Sequence, residues 1–298
     1  MKTTNYAAID IGTNAVRLLI KQVDTDGTEV TFNKQLFLRV PLRLGFDVFR
    51  EGRVSGTKGK KLERLMKAYR QLMKIYEVDR YRACATSAMR DAANGRELIA
   101  AIRKATDINI EIIAGEEEAK IVYNNHIEQF EDRQGNYMYV DVGGGSTEIN
   151  LLTDGQLVCS RSYNVGTIRL LSGMVEEEYW ERLFFELSEL AAPYPDIHII
   201  GSGGNINKLY RLTGKKDKQR ILTIDELRAL YEALHPLTPE ERMRAFKLKA
   251  DRADVIVPAA EIFLNVAAAV RAVDIRVPVI GLCDGIIDTL YKADNPEA

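Results

Sequence analysis

The sequence predicts an α/β protein that contains two similar domains. Short apolar runs suited to strands alternate with stretches whose apolar residues recur at helical spacing. The run Asp10-Ile-Gly-Thr13 has a counterpart 131 residues later in Asp141-Val-Gly-Gly144. A weaker echo relates Ala85-Thr-Ser-Ala88 to Gly201-Ser-Gly-Gly204. Because both echoes follow the same order, we predict two domains, residues 1–130 and 131–298, that face each other across a cleft.

The first domain is predicted to open as an antiparallel meander of three strands. Apolar runs predict strands at residues 6–11, 16–23 and 29–38, and Asp26-Gly27 is a tight-turn signal between the last two. Apolar residues at three- and four-residue spacing then predict a long amphipathic helix over 58–78. The rest of the domain should alternate strands at 81–85 and 109–113 with helices at 95–105 and 116–127.

The second domain is predicted to restart this pattern after residue 136. Strands are expected at 137–142, 147–153 and 157–164, with a glycine turn between the first two and Asp154-Gly155 between the next two. A strand at 197–200 ends in a second glycine-rich turn, which opens a helix over 205–212. The remainder is predicted to be mainly helical, with a short strand at 278–280.

The composition excludes several classes of protein. The 41 Lys and Arg residues nearly balance the 43 Asp and Glu residues, whereas a dedicated nucleic-acid binder usually has a basic excess. Three cysteines without a CxxC pair argue against a disulfide framework or a zinc site and fit a reducing compartment. The most apolar stretch, residues 262–283, is interrupted by Arg271, Asp274 and Arg276, so it cannot cross a bilayer. We therefore expect a cytoplasmic protein with no nucleic-acid or membrane partner.

The run Asp141-Val-Gly-Gly-Gly-Ser-Thr-Glu148 carries the strongest chemical signal. Three consecutive glycines in a turn let backbone N–H groups converge on a phosphate oxyanion. Asp141 and Glu148 flank this turn, and carboxylates beside a bound phosphate require a hard cation such as Mg²⁺ between them. A glycine-rich hairpin with solvated acids is the alternative, which the flanking acids disfavour. The candidate phosphate ligands here are Gly143, Gly144, Gly145 and Ser146.

The turn after the first strand offers the same arrangement with hydroxyl and amide donors. Gly12, Thr13 and Asn14 follow Asp10 there, and a polar β-turn without a ligand is the alternative. Arg17 lies three residues further on, inside an apolar strand, where it either reaches back to an anion or forms a partly buried ion pair.

Two further strands end in residues that suit anion binding, at the position where α/β folds usually place ligands. Arg90 follows the strand at 81–85, and it either contacts an anion or caps local carbonyls and pairs with Asp91. Gly203 and Gly204 follow the strand at 197–200, as either an anion-binding turn or a closely packed strand-to-helix turn. A basic cluster over residues 215–220 is either a solvated loop or a polyanion contact.

Spacing separates the three acids Glu116, Glu117 and Glu118 at the start of a predicted helix. Ile121 and Val122 lie three and four residues after Glu118, which places this acid on the apolar side of the helix. An inward carboxylate should bind its proton more strongly than usual, and this suits a general base that activates water. A dipole-stabilising acid with a buried partner is an equal alternative.

Together these motifs resemble the exopolyphosphatase and guanosine pentaphosphate phosphohydrolase family, within the actin-like phosphotransferase superfamily. The resemblance runs from about residue 7 to residue 290. Its specific parts are Asp10-Ile-Gly-Thr-Asn14, Ala85-Thr-Ser-Ala-Met-Arg90, Ile113-Ala-Gly-Glu-Glu-Glu-Ala119, Asp141-Val-Gly-Gly-Gly-Ser-Thr-Glu148 and Gly201-Ser-Gly-Gly204. The resemblance implies an α/β fold of two ribonuclease-H-like (actin-like ATPase superfamily) domains flanking a catalytic cleft.

The resemblance also implies roles for individual residues. It maps the catalytic glutamate onto Glu118, a polyanion contact onto Arg90, and metal-associated acids onto Asp141 and Glu148, with Asp10 as a further candidate. The phosphate loops map onto residues 12–14 and 143–146. The sequence departs from the family pattern at Ala15, where many members have Ser, and at Leu282-Cys-Asp-Gly285, where Leu-Arg-Glu-Gly is more usual.

The expected function is a Mg²⁺-dependent phosphoanhydride hydrolase that removes the terminal phosphate of inorganic polyphosphate, with short chains preferred. Hydrolysis of guanosine pentaphosphate (pppGpp) uses the same chemistry and is the first alternative. A polyphosphate or alarmone sensor that binds without turnover is the second. An actin-like ATP kinase is the third, and the candidate water-activating acid disfavours it. A homodimer is one expected assembly.

Overall fold

The computed structural model describes residues 2–27, 29–126, 134–279 and 281–296, without the side chains of residues 123–126. The chain forms two compact units, Met1–Asn125 with Gly281–Ala298, and His126–Ile280. Each unit is built on its own mixed sheet with helices, so the predicted α/β class is confirmed. No helix in the described ranges is long and apolar enough to span a membrane.

The first unit begins with an antiparallel meander of β1 (Lys2–Ile11), β2 (Val16–Asp26) and β3 (Glu29–Val40). Two strands continue the sheet in parallel beside β1, β4 (Arg80–Ala85) and β5 (Ile110–Ile112), and the order is β3-β2-β1-β4-β5. The parallel strands therefore bring their carboxyl ends to one edge, where α/β proteins bind ligands. The connecting helices are α1 (Leu44–Glu51), α2 (Gly56–Ile75), α3 (Ser87–Asp91), α4 (Gly95–Thr106) and α5 (Gly115–His126).

The second unit also begins with a meander, β6 (Asn136–Val142), β7 (Thr147–Thr153) and β8 (Gln156–Tyr163). β9 (His198–Ser202) runs parallel to β6, and the short strands β10 (Ile221–Leu222) and β11 (Ile275–Arg276) complete the order β10-β11-β9-β6-β7-β8. Its helices are α6 (Thr167–Leu171), α7 (Glu177–Ala191), α8 (Gly204–Leu212), α9 (Ile224–Leu234), α10 (Pro239–Phe246), α11 (Ala250–Ala253) and α12 (Ile256–Ala269).

Both units repeat one arrangement, a hairpin followed by a third antiparallel strand and a short helix. In the first unit this is β1, β2, β3 and α1, and in the second β6, β7, β8 and α6. In each unit the first strand also pairs in parallel with a later strand, β4 or β9. The internal repeat that the sequence predicts is thus confirmed in the strand pairing, and it extends to the two short helices.

Amphipathic helices cover each sheet with their apolar sides. α2 begins after Ser55, whose side chain accepts the N–H of Lys58, and it buries the predicted row of Leu62, Met66 and Tyr69. α12 is apolar on nearly all sides and is buried along most of its length. A Cβ on Gly201 of β9 would lie 3.2 Å from the ring of Phe263, so α12 packs directly on this strand.

The last helix, α13 (Leu282–Asp294), belongs to the first unit, whereas the sequence analysis places residues 281–298 in the second domain. It packs against β1 and β4 and buries Ile286 and Ile287 there. A Cβ on Gly285 would lie 2.2 Å from the carbonyl oxygen of Ile121 in α5, so the two helix backbones are in contact. The assignment differs because α13 hides its apolar side in a tertiary contact that no local pattern encodes. The predicted boundary at 130/131 lies outside the described residues.

The predicted strand at 278–280 is wrong for Pro278 and Val279, while residue 280 and residue 127 of a predicted helix lie outside the described residues. The strand is instead β11, which pairs with β9 and β10. Pro278 has no N–H to donate to a ladder, and the N–H of Val277 is donated to the carbonyl of Arg220 at 3.0 Å. The short helices α1 and α3 are absent from the prediction.

Candidate active site

The glycine loop between β6 and β7 is held by its carbonyl groups. The N–H of Gly143 closes the turn by donating to the carbonyl of Ser146 at 2.9 Å. The carbonyls of Gly143 and Gly144 accept N–H groups from the start of α6 at 2.7 to 3.1 Å, and that of Gly145 accepts Nε of Arg169 at 2.8 Å. Within the described residues, the N–H groups of Gly144 and Gly145 donate no hydrogen bond. The loop therefore retains the free donors that an anion requires.

Close packing fixes this loop against α6. A Cβ on Gly166, just before α6, would lie 2.5 Å from backbone atoms of Gly145 and 2.6 Å from Gly144. The hydroxyl of Thr147 is fully buried and donates to the carbonyl of Val165 at 2.6 Å. Both contacts bind the segment before α6 to the loop, so the loop is preorganised.

The loop between β1 and β2 is built in the same way. The N–H of Gly12 donates to the carbonyl of Ala15 at 3.2 Å. The carbonyls of Thr13 and Asn14 accept the N–H groups of Gly45 and Arg43, at 3.0 and 2.9 Å, from the start of α1 and the residue before it. The hairpin loop is thus tied to the short helix that follows the meander in both units.

The charges across the two hairpins differ. Asp10 and Arg17 are register partners on β1 and β2 and form an ion pair. Of the two interpretations of Arg17, the ion pair is therefore the one the structure shows. At the corresponding place in the second unit, Asp141 on β6 is the register partner of Glu148 on β7, so two carboxylates occupy the same face.

The Asp141 and Glu148 pair fits a Mg²⁺ ion. Glu148 is buried, and its Oε1 accepts the hydroxyl of Ser162 at 2.9 Å, which orients the carboxylate. Mg²⁺ in proteins is usually held by one or two carboxylates together with substrate phosphates and water. Asp10 fits less well because Arg17 already compensates its charge. Among the described residues, no group of three or more Asp, Glu, His or Cys side chains forms a ready metal cage.

The structure separates the three acids at the start of α5. Glu116 is exposed, whereas the side chain of Glu118 is 13% exposed and its Oε2 accepts Nη1 of Arg90 at 3.0 Å. Ile121 and Val122 are both buried, so the predicted inward side of α5 is confirmed. Arg90 also donates to the carbonyl of Ile113 at 2.8 Å. It thus caps a local carbonyl, as one alternative predicts, but the acid that it binds here is Glu118, whereas Asp91 is the predicted partner. The catalytic role of Glu118 stays a prediction.

Glu117 belongs to a structural ion-pair network. It binds Arg82 at 2.6 Å, and the same guanidinium binds Glu111 at 2.8 Å. Although burial opposes the charged form of Arg82, the hydrogen bonds that it donates to these two acids raise its pKa. Glu117 therefore binds an arginine within strand β4. Glu118 instead binds Arg90, which follows the carboxyl end of that strand.

The second glycine turn, after β9, brings an acid and a cation together. Gly203 has φ of +94°, and a Cβ there would lie 2.8 Å from Oδ1 of Asp141. A Cβ on Gly204 would lie 2.8 Å from Nη1 of Arg252, which donates to Oδ1 of Asn205 at 2.8 Å. Close packing is thus what the structure shows for these glycines, and their anion-binding role stays a prediction. Arg252 is not predicted from the sequence, because its partner Asn205 is 47 residues away.

Each unit has one buried hydroxyl near the carboxyl end of the strand that pairs in parallel with its first strand. Ser87 follows β4 and Ser202 ends β9, and each residue is 2% exposed. Neither hydroxyl has a hydrogen-bond partner among the described residues. A buried unpaired polar atom is rare in a native protein and often marks a place for a ligand or ordered water.

Two of the four cations in the basic cluster over residues 215–220 are engaged in local structure. Lys215 pairs with Glu226, and Arg220 donates to the carbonyl of Val277 at 2.6 Å and to Oδ1 of Asn207 at 2.9 Å. Lys216 and Lys218 are exposed. These contacts favour the solvated-loop interpretation of this segment.

The chain also matches a known protein family over most of its length. The model of the Ppx/GppA phosphatase family matches residues 36–293. The chain belongs to this family. The predicted family and the predicted enzyme class, a phosphoanhydride hydrolase, are thereby confirmed.

The chain is similar to several known proteins at modest sequence identity. Exopolyphosphatase 1 of Mycobacterium bovis is 26% identical over 310 residues, which cover 96% of this chain and 88% of that protein. A bifunctional 3-dehydroquinate synthase/phosphatase of Fusobacterium nucleatum is 33% identical over 168 residues, 55% of this chain and 25% of that longer protein. The crystal structure of the Aquifex aeolicus Ppx/GppA family member is 26% identical, covers 99% of both chains and has a TM-score of 0.79. The actin-like, ribonuclease-H-like two-domain fold is confirmed by this likeness.

The positions that depart from the Ppx/GppA pattern lie in well-packed or hydrogen-bonded places. Ala15 is buried, and its carbonyl closes the first hairpin turn. Cys283 is buried at the start of α13. Asp284 binds Lys21 at 2.8 Å and accepts the N–H of Gly281 at 3.1 Å, so this acid caps α13 and attaches it to β2.

Proposed function

We propose that this chain is an exopolyphosphatase that hydrolyses the terminal phosphoanhydride bond of inorganic polyphosphate, with Glu118 as the general base and Mg²⁺ as cofactor. The observation that carries the proposal is the ion pair of Glu118 with Arg90, which distinguishes this acid from Glu116 and Glu117. The similarity to Exopolyphosphatase 1 over most of both chains supports the substrate class. A cytoplasmic location, a homodimer and a preference for short chains remain predictions.

The proposed reaction is an in-line attack of water on the terminal phosphorus. Glu118 accepts a proton from the water while the new P–O bond forms and the bridging P–O bond breaks. The released phosphate contains the oxygen of the attacking water, and the bridging oxygen remains on the shortened chain. Glu118 then returns its proton to solvent. Arg90 holds the Glu118 carboxylate in one orientation during this step.

The loops are proposed to compensate the charge of the phosphates. The free N–H groups of Gly144 and Gly145 would donate to phosphate oxygens, and a fixed loop does so without reorganisation. Mg²⁺ supplies charge neutralisation when it is bound, and Asp141 and Glu148 would hold it. The buried hydroxyls of Ser87 and Ser202, which lack a partner among the described residues, would be further donors if a phosphate reached them.

The test of the base compares Glu118→Gln with Glu116→Gln, an identical change on the exposed side of the same helix turn. Phosphate release should fall by roughly 10²–10⁴-fold in the first variant, as for loss of a general base, and stay near wild type in the second. Tripolyphosphate, long-chain polyphosphate and pppGpp are assayed in parallel. If only pppGpp is hydrolysed, the alternative function, pppGpp hydrolysis, would replace the proposed one. Tight binding of polyphosphate without turnover would favour a sensor. Wild-type turnover by Glu118→Gln would remove Glu118 from its role.

The metal proposal predicts a separate phenotype for Glu148. Replacement by Gln removes the negative charge of the carboxylate and keeps the shape of the side chain. The Mg²⁺ concentration for half-maximal activity should therefore rise at least about tenfold, as expected when a metal ligand or a residue that supports one is changed. Glu186→Gln is the matched control, because Glu186 lies in the same unit and pairs on the surface with Arg161. An unchanged Mg²⁺ dependence in Glu148→Gln would contradict the assignment.

A further inference from the structure

Helix α2 carries a row of cations that the proposed chemistry does not use. Its 20 residues include seven Lys or Arg and one Glu, in a chain whose formal net charge is −2. Lys60, Arg64, Lys67 and Lys74 follow one another at intervals of four, three and seven residues, so they lie along one line of the helix surface. All four are exposed, and we call them the α2 cation row.

Most of the charge of the α2 cation row is not neutralised, although Lys58 and Arg70 on the same helix are paired with Asp47 and Asp107. Lys67 has a surface ion pair with Glu63 at 2.6 Å, which is weak in water. In the described part of the chain, Lys60, Arg64 and Lys74 form no ion pair. α4 packs beside α2, since a Cβ on Gly59 would lie 3.3 Å from the side chain of Leu98. Exposed cations on α4 enlarge the positive field, and they are Arg96, Arg103 and Lys104.

The geometry of the row suits a linear polyanion. At about 1.5 Å per residue the row is about 21 Å long, which matches an extended chain of charges better than a single phosphate. The apolar side of α2 is buried in the core through Leu62, Met66 and Tyr69. Ile75 at its last position is exposed, and a single apolar side chain is too small an area for insertion into a membrane. Position 71 in the same line is Gln71, and the row offers no aromatic ring on which nucleic-acid bases would stack.

We propose that the α2 cation row is a second binding surface for inorganic polyphosphate, outside the residues assigned to the reaction. The choice of ligand rests on the proposed function. Cations spaced along a helix hold the phosphates of a long chain by charge alone, so affinity grows with the number of phosphates that reach the row. A long substrate therefore gains affinity from the row, whereas tripolyphosphate binds only at the reaction site. The predicted preference for short chains then concerns turnover and not affinity.

The test replaces the row by Gln in one variant, K60Q/R64Q/K67Q/K74Q. The matched control, K34Q/R228Q/R244Q/K249Q, removes the same charge from exposed positions elsewhere. Equilibrium binding of end-labelled long-chain polyphosphate is measured over a series of salt concentrations, together with tripolyphosphate binding and thermal unfolding. We expect the row variant to bind the long chain at least about tenfold more weakly and to lose up to about three units of the salt slope. Tripolyphosphate affinity should be unchanged, and the control should behave as wild type.

The binding readout separates this inference from the proposed function. Loss of long-chain affinity only in the row variant supports the row even if no chain is hydrolysed. Equal long-chain affinity in the row variant and the control overturns it, even if polyphosphate is the substrate. Tighter binding of RNA than of polyphosphate at equal charge, or salt-sensitive self-association that only the row variant loses, would also overturn it by assigning the row to another partner.

Discussion

At the scale of single residues, Arg90 is the side chain that defines where Glu118 points. Its Nη1 binds Glu118 and the carbonyl of Ile113 together, so we expect it to act as a positioning residue. Arg90→Gln should lower kcat by up to about a hundredfold, because a base displaced by about 1 Å loses its alignment with the attacking water. Arg90→Lys keeps the charge and should recover part of the loss.

The two parameters of the kinetics distinguish this role from a polyanion contact. A positioning arginine changes kcat and leaves KM near wild type, whereas an arginine that binds only substrate raises KM with kcat unchanged. Arg228→Gln is the control, since Arg228 is exposed on α9 and belongs to neither proposed binding surface. A rise in KM alone would show that Arg90 binds the substrate, as the family resemblance implies.

Residue-level prediction from the sequence works where the partners are close in the chain. The inward side of Glu118 follows from Ile121 and Val122 in the next helix turn, and the structure buries both. Arg252 could not be predicted in the same way, because its position against Gly204 depends on how α11 and α8 pack. The two alternatives for Arg17 could not be separated from the sequence, because its partner Asp10 lies on the opposite strand of a hairpin.

At the scale of elements, the contact between the glycine loop and the segment before α6 is the tightest part of the candidate site. Gly166→Ala should push its Cβ into the backbone of Gly145, which lies 2.5 Å away. Overpacking of this kind costs about 1–3 kcal/mol of unfolding free energy. Activity should fall further than stability, since the displaced loop carries the phosphate donors. Urea unfolding and phosphate release measured on one preparation check both effects.

Gly56→Ala is the matched control for this change. It adds the same methyl group at the first residue of α2, where nothing lies within 4 Å. Because Ala favours a helix over Gly by roughly 0.5–1 kcal/mol, this variant should be as stable as wild type or more so. A fully active and equally stable Gly166→Ala would show that the loop tolerates movement.

The elements that sequence analysis finds are those with local signals. The two meanders follow from alternating apolar runs and Asp-Gly turns, and α2 from its periodic apolar row. α1 and α3 have only eight and five residues, too few to show helical periodicity. β11 has two residues and forms because β9 and β10 lie beside it, so its strand is set by neighbours.

At the scale of the whole molecule, the last helix of the chain, α13, belongs to the first unit. The internal repeat is visible in the sequence because both copies keep the same turn chemistry. The membership of α13 is not visible, since its helical pattern fits any apolar surface and the choice of β1 and β4 is tertiary. A boundary drawn from the repeat alone therefore gives residues 281–298 to the wrong unit.

This membership makes α13 a support for the helix that carries Glu118. Gly285→Ala should separate α13 from α5, because the new Cβ would lie 2.2 Å from the carbonyl oxygen of Ile121. We expect a loss of about 1–3 kcal/mol in unfolding free energy, and a lower kcat because Ile121 is one helix turn from Glu118. Gly281→Ala adds the same methyl where nothing lies within 4 Å and should change stability by less than about 0.5 kcal/mol. Equal stability and equal kcat in the two variants would mean that α13 does not fix α5.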